Sequence, residues 1–201
     1  MNFAQTHNKV TKTPVIRTLV IDGPRGSGKT TLINTLVHGW PGKFMHIKFR
    51  DIIDTPDVRH ISSGIARMDF MISFLEQVPP GSDWTVPIFD RFLPTEWVMR
   101  SFDGEIMRSD YEYLRILDER LARVAGVVLL NASERTKRER SEGRKAEGNT
   151  ERLWHQFGNQ TACTTLRLDT TATAPMTLAF KVLDWFNVIE GVSVPPTGTS
   201  E

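Results

Sequence analysis

Short apolar runs of strand length alternate along the chain with stretches in which apolar residues recur every three or four positions. Val15 to Asp22 (VIRTLVID) is apolar and β-branched and breaks at Gly23, so it predicts a strand. Thr30 to Gly39 predicts a helix that begins in a glycine loop and stops at a C-terminal glycine. Phe44 to Phe49 predicts a second short strand. From Val58 to Val78, Ile61, Ile65, Met68, Ile72 and Leu75 keep helical spacing until Pro79-Pro80 ends the pattern. Trp84 to Asp90 (WTVPIFD) predicts a third strand, in which Pro87 argues against a central, fully paired place. If that strand is central, the proline must sit at a bulge or near the end of the pairing.

Helical stretches around 94–101 and 108–124 precede Gly126 to Asn131 (GVVLLN), which has the pattern of a buried strand. A charged helix over Glu134 to Arg144, a glycine-containing loop and a helix around 150–158 follow. Thr164 to Asp169 alternates as a strand. Pro175 to Ile189 closes the pattern as an amphipathic helix, with Leu178, Ala179, Val182, Leu183, Phe186 and Ile189 on one face. Strands alternating with helices predict an α/β fold of three layers, a central and mostly parallel sheet of five strands covered on both faces. Residues 1–13 and 191–201 (GVSVPPTGTSE) have little to bury and are expected to be flexible tails. That leaves one domain over residues 14–190.

Composition narrows the class without naming it. A length of 201 residues suits one core, and 39% hydrophobic with 24% charged residues is ordinary for a globular chain. A formal net charge of +1 carries no overall basic excess of the kind that predicts nucleic-acid binding by itself. The single cysteine, Cys163, excludes an intramolecular disulfide and reads as a buried, reduced thiol of an intracellular protein. No stretch approaches the roughly 18 apolar residues of a membrane span. Met1 to Thr13 lacks the apolar segment of a signal peptide, so a cytoplasmic protein without membrane attachment is expected. The five histidines show no metal-ligand spacing.

Specific chemistry enters at Gly23-Pro-Arg-Gly-Ser-Gly28-Lys29-Thr30, which matches G-x-x-x-x-G-K-[ST] between an apolar strand and a helix. Glycines let the backbone curl so that several N–H groups converge on a triphosphate, at a helix N-terminus whose dipole favours anions. Gly23, Arg25, Gly26, Ser27, Gly28, Lys29, Thr30 and Thr31 are therefore the expected ATP-binding residues. Lys29 would reach the β- and γ-phosphates, and the Thr30 hydroxyl would hold Mg²⁺. Such a loop does not choose among GTPase, motor ATPase and kinase. A guanine-reading Asn-Lys-x-Asp is missing after the late strand, where the chain reads Asn131-Ala-Ser-Glu134. A mechanical ATPase usually carries longer coupling segments than this chain has room for. A nucleotide-binding module without turnover stays open.

Asp90-Arg91-Phe92 closes the third strand, and carboxyl strand ends of an open parallel sheet line the ligand crevice. Asp90 there would hold a magnesium-bound water or polarise an acceptor oxygen. Arg91 would grip an acceptor phosphate through a bidentate fork. The run from Ser133 to Lys145 carries both signs of charge. Part of it reads as a solvated helix face, and part as an arginine-bearing lid over about 133–152 that neutralises the moving group and excludes water. Arg138, Arg140 and Arg144 are the candidates.

In this order (P-loop, Asp-Arg-aromatic about sixty residues later, arginine-rich lid) the chain resembles the thymidylate kinase family of nucleoside monophosphate kinases. DRFLPTEWVM (90–99) is similar to that family's Asp-Arg-aromatic box, and Gly64-Ile-Ala-Arg67-Met-Asp-Phe70 resembles its acceptor-site helix. Arg50 sits where the family places an arginine on the acceptor phosphate, and Asp169 to Pro175 resembles the loop beside adenine. The resemblance covers roughly residues 15–190. It implies ATP with Mg²⁺ as donor, metal contacts through Thr30 and Asp90, and a deoxynucleoside monophosphate as acceptor. Arg50 and Arg91 would orient the acceptor phosphate, while Arg67 and Phe70 would read its base. A homodimer is also implied.

Three departures touch that resemblance. The variable P-loop positions Pro24, Arg25, Gly26 and Ser27 contain no carboxylate where family members often carry one for the acceptor sugar. Met99 stands where a tyrosine is expected, and Pro87 interrupts the Asp-Arg-aromatic strand. A nucleoside, or a modified base within DNA, is therefore an alternative acceptor, and DNA an alternative partner.

Overall fold

The computed structural model describes residues 16–48, 61–78, 85–104, 108–141 and 150–189. Both expected tails and Arg50 and Arg144 lie outside these residues. The strands are β1 (Thr18–Asp22), β2 (Phe44–Lys48), β3 (Val86–Asp90), β4 (Ala125–Asn131) and β5 (Thr165–Asp169). The helices are α1 (Lys29–Gly39), α2 (Ile61–Gln77), α3 (Leu93–Asp103), α4 (Arg108–Leu121), α5 (Glu134–Arg140), α6 (Glu151–Gln160) and α7 (Pro175–Ile189).

The five strands form one sheet in the order β2-β3-β1-β4-β5, and every pairing is parallel. Side chains of a strand alternate between its faces, and here both faces are buried. Along β4, Ala125, Val127 and Leu129 enter one core, while Val128 and Leu130 enter the other. In β1, Val20 joins the first core and Leu19 and Ile21 the second. Helices α2, α3, α4 and α6 cover the first face through residues such as Met68, Val98, Leu117 and Phe157. Helices α1 and α7 cover the second through Leu32, Leu36, Val182 and Phe186. This is the three-layer α/β fold with a central five-stranded parallel sheet that the alternation of elements predicts.

Pro87 lies in an internal strand after all, because β3 sits between β2 and β1. A proline there lacks one ladder donor. The β1–β3 register begins at Leu19↔Ile88, one residue past the proline. At that end the Thr18 hydroxyl donates to the Pro87 carbonyl at 2.7 Å, so the proline occupies the start of the pairing and the side chain of β1 serves its carbonyl. Of the helices, α4 ends at Leu121 rather than at 124, and a turn leads from there into β4. No helix among the described residues is long and apolar enough to cross a membrane.

Candidate active site

The loop after β1 is shaped by Gly23 and Gly26, with φ of 141° and 75°. A β-carbon on Gly23 would lie 2.2 Å from the Leu130 carbonyl oxygen, and one on Gly26 would lie 2.5 Å from that of Lys137. Only glycine satisfies both the left-handed backbone and these close approaches. Gly28 then caps α1, leaving Thr30 and Thr31 exposed at the helix start. Lys29 is buried, and its ammonium donates to the carbonyls of Gly23 at 2.6 Å and Pro24 at 2.9 Å. Ser27 is buried too, whereas Arg25 is half-buried.

Asp22, the last residue of β1, is a structural part that the sequence reading passed over. It is fully buried, and its carboxylate accepts from Gly23 N (2.8 Å), Phe92 N (3.2 Å), Thr95 N (2.9 Å) and the Thr95 hydroxyl (2.7 Å). Helix α3 has no side-chain cap of its own, so a carboxylate from another strand caps it. Burial pushes the Asp22 carboxyl above the usual range, against the Lys29 charge and the hydrogen bonds from Thr95 and Gly23. The signal in the sequence was an acidic residue ending an otherwise apolar strand directly before Gly23, the same placing as Asp90 has on β3.

That clamp joins the phosphate loop to Asp90-Arg91. Ile21 pairs with Asp90 in the sheet, and Arg91 N donates to the Ile21 carbonyl at 3.3 Å. Arg91 has φ 65° and is the single non-glycine residue with positive φ among the described residues. A left-handed non-glycine residue costs about 1–2 kcal/mol, which the fixed positions of Ile21, Phe92 and Thr95 around it sustain. The Asp90 carboxylate lies 3.5 Å from the His46 ring nitrogen on the neighbouring β2.

From the other side comes Arg140 at the end of α5. It donates to the hydroxyl and the carbonyl of Thr170, and the Thr170 hydroxyl donates to the Ser27 carbonyl at 2.9 Å. A β-carbon on Gly28 would stand 3.5 Å from the Arg140 guanidinium. Arg140, Gly28, Thr31, Thr170, Thr173 and Pro175 line a cavity of about 130 Å³ against the N-terminus of α1. Arg138 is exposed on α5. The buried cation of that helix is Lys137, paired with Glu134 and lying 3.8 Å from Glu151. Nothing in the charge run distinguished Lys137 from its solvated neighbours.

The sequence-derived acceptor residues are placed less uniformly. Arg67 is half-buried on α2. Phe70 is 71% exposed, and it follows the fully buried Met68 by two residues, about 200° around the helix. It stands on the exposed face of α2, away from Met68.

The donor set suits magnesium in one respect. Mg²⁺ keeps several waters and takes few protein oxygens, and the Thr30 hydroxyl in the first turn of α1 and the Asp90 carboxylate at the end of β3 supply that kind of ligand. No cluster of three or more His, Cys, Asp or Glu residues suited to a metal exists among the described residues. A cation would therefore depend on phosphate oxygens for part of its shell.

No family model matches the sequence, and no curated protein matches it. Among solved structures the chain is similar to the YorR protein of Bacillus subtilis in complex with phosphorylated GDP, at 18% identity and TM-score 0.62, over 85% of this chain and 96% of that one. It is also similar to an unliganded sugar kinase from Janibacter sp. HTCC2649, at 15% identity and TM-score 0.46, over 90% of this chain and 99% of that one. The YorR likeness shows that the two chains share a fold.

Proposed function

We propose that this chain is an ATP-dependent kinase that transfers a phosphoryl group to a deoxynucleoside monophosphate. The observation that carries the reading is the joining of three parts at the sheet's carboxyl edge. Asp22 ties the Lys29 loop to Asp90-Arg91, and Thr170 ties Arg140 to the same loop. Phosphoryl transfer asks mainly for positioning and for cations around the moving group. Lys29 would leave the Gly23 and Pro24 carbonyls for the β- and γ-phosphates, and Arg140 stands beside Gly28 where the α1 dipole adds its own attraction. An acceptor phosphate oxygen would attack the γ-phosphorus in line as the bond to the bridging oxygen breaks, releasing ADP. Arg91, with Arg50 and Arg67, would hold the acceptor, and Arg138 and Arg144 would add to the lid. Magnesium on Thr30, with Asp90 reached directly or through water, would supply charge neutralisation of the phosphates. The crystal partner of YorR, a phosphorylated guanine nucleotide, supports a nucleotide on this fold.

A second reading, transfer to a nucleoside or to a modified base in DNA, draws on Arg25. It places a cation in the phosphate loop where a carboxylate would face an acceptor sugar. A coupled ADP-release assay with Mg-ATP separates the readings. Each deoxynucleoside monophosphate is offered in turn, then nucleosides and DNA, with Lys29→Ala as the blank. Turnover with a monophosphate that Lys29→Ala loses supports the first reading. Turnover only with a nucleoside or DNA supports the second. Silence across the panel with ATP still bound sinks both.

A further inference from the structure

Helix α5 touches the glycine loop after β1 at two successive places. The backbone of Lys137 closes over Gly26, where an added β-carbon would lie 2.5 Å from the Lys137 carbonyl oxygen. Three residues on, the Arg140 guanidinium stands 3.5 Å from the place a β-carbon would take on Gly28. The helix therefore runs along the loop that the kinase reading gives to the ATP phosphates. Its position decides where the Arg140 charge falls.

Seven residues make barely two turns, and a helix that short has little stability of its own. Contacts from elsewhere must hold it. The turn after β5 takes its two ends, the Thr171 hydroxyl accepting from Ser133 N at 2.8 Å and the Thr170 hydroxyl from Arg140 at 2.8 Å. Between them Lys137 is buried, and its ammonium pairs with Glu134 on α5 and lies 3.8 Å from Glu151 on α6. Glu151 in turn accepts from the Asn131 amide at the end of β4, at 3.0 Å. Two fixed ends leave a helix free to rotate about the line that joins them. A third attachment, from another element, removes that freedom.

Stability does not explain the burial of this ammonium. Desolvating a cation offsets most of what an ion pair returns, and the partner side chains are 62% and 42% exposed, so water competes for both. Lys137 and Arg140 are about 60° apart around the helix, so a rotation that frees one carries the other with it.

We infer that Lys137, through Glu151, is a positioning residue for ATP: it fixes the rotation of α5 on the glycine loop and so the place of Arg140 beside Gly28. This role rests on the kinase reading and does not require Lys137 to touch the phosphates.

The test is Mg-ATP binding, measured by calorimetry on the full chain, in a double-mutant cycle of Lys137→Met and Arg140→Ala. The carboxylates that Lys137→Met abandons can take up water, so the variant is expected to fold, which urea unfolding checks. Lys137→Met is expected to weaken ATP about tenfold when Arg140 is present and less than about twofold in Arg140→Ala. Glu151→Gln leaves α5 untouched and should weaken ATP about threefold, again only when Arg140 is present. Should Lys137→Met fail to fold, Glu151→Gln decides. Unchanged ATP affinity overturns the inference. So does an equal loss with and without Arg140, which would mean that Lys137 acts through its own charge. Wild-type protein that takes up no ATP sinks the kinase reading and this role with it, a result distinct from either of those.

Discussion

Arg140 and Thr170 are joined twice, the guanidinium donating to the threonine hydroxyl and to its backbone carbonyl, both at 2.8 Å. The hydroxyl passes the contact on to the Ser27 carbonyl, so it accepts from α5 and donates to the glycine loop after β1. Thr170→Val keeps the side-chain shape and removes both roles. It is expected to raise the KM for ATP about tenfold with the fold intact. Arg140→Ala removes the charge as well and is expected to lower kcat by about 10²–10³. Steady-state kinetics with ATP varied decides this, and a wild-type KM for Thr170→Val would show that the bridge has no bearing on the donor.

Lys29 has two roles that separate experimentally. Lys29→Ala is expected to reduce kcat by at least about 10²-fold through loss of the cation on the phosphates. It also strips the Gly23 and Pro24 carbonyls of their buried donor. The thermal midpoint of the unliganded variant should therefore fall, and its rise on adding Mg-ATP should shrink. A variant that melts like wild type without ligand would contradict the structural half of this account.

The Asp22 carboxylate meets only donors. Asp22→Asn turns an amide N–H₂ toward backbone N–H groups and is expected to cost about 2–4 kcal/mol in urea unfolding. Thr95→Ala removes only the hydroxyl bond and should cost about 1 kcal/mol. Equal losses from the two would mean that the Thr95 hydroxyl, rather than the backbone donors, carries the clamp.

Gly26 and Gly39 make a controlled pair. Gly39 closes α1 with nothing within 4 Å of an added β-carbon, and Gly39→Ala should stabilise by about 0.5 kcal/mol. Gly26→Ala meets both a φ of 75° and the Lys137 carbonyl at 2.5 Å. It should destabilise by about 2 kcal/mol or more and weaken ATP binding, since α5 must retreat from the phosphate loop. Comparable stability of the two variants would refute the close approach of α5.

Between α2 and α4, Tyr113 donates to Asp69 at 2.7 Å, and Arg120 pairs with Asp69 and Glu76. The bond from Tyr113, then Arg120, holds the Asp69 carboxyl below the usual range. A lowered carboxyl contributes stability above the unfolded value of about 3.9 and loses it as pH falls through the folded one. Hydrogen bonding to Asp69 pushes the Tyr113 phenol above its usual value near 10, so its contribution is present below that pH and lost as pH rises through the folded value. The Tm deficits of Asp69→Asn at acid pH and Tyr113→Phe at alkaline pH should thus shrink relative to neutral pH. Deficits that stay constant across both ranges would show that the pair does not titrate with folding.

The layered fold was legible because it rests on local periodicity. Every described strand, and α7 over its full Pro175–Ile189 span, follows from spacing and breakers alone. The phosphate loop was legible as well, because its glycines, Lys29 and Thr30 are contiguous and each position has a local backbone reason. Pro87 left two readings open, an edge strand or a central one with the proline near the end of the pairing. The structure decides for the second, since a sequence does not say which strands flank β3 or that the Thr18 hydroxyl reaches the Pro87 carbonyl.

Only the tertiary structure decided the rest. It singled out Arg140 from a run of arginines, because Thr170 arrives from the far side of β5 and the choice depends on a contact thirty residues away. It left Phe70 exposed and buried Met68 two residues before it, by the rotation of α2 on its core. It made Asp22 the clamp between the phosphate loop and α3, a partnership spanning more than seventy positions. Spacing within a segment determines elements and contiguous motifs through short-range sterics and hydrogen bonding. Which charged side chain is buried, paired or presented depends on where distant segments meet, and that is set by packing both faces of one sheet.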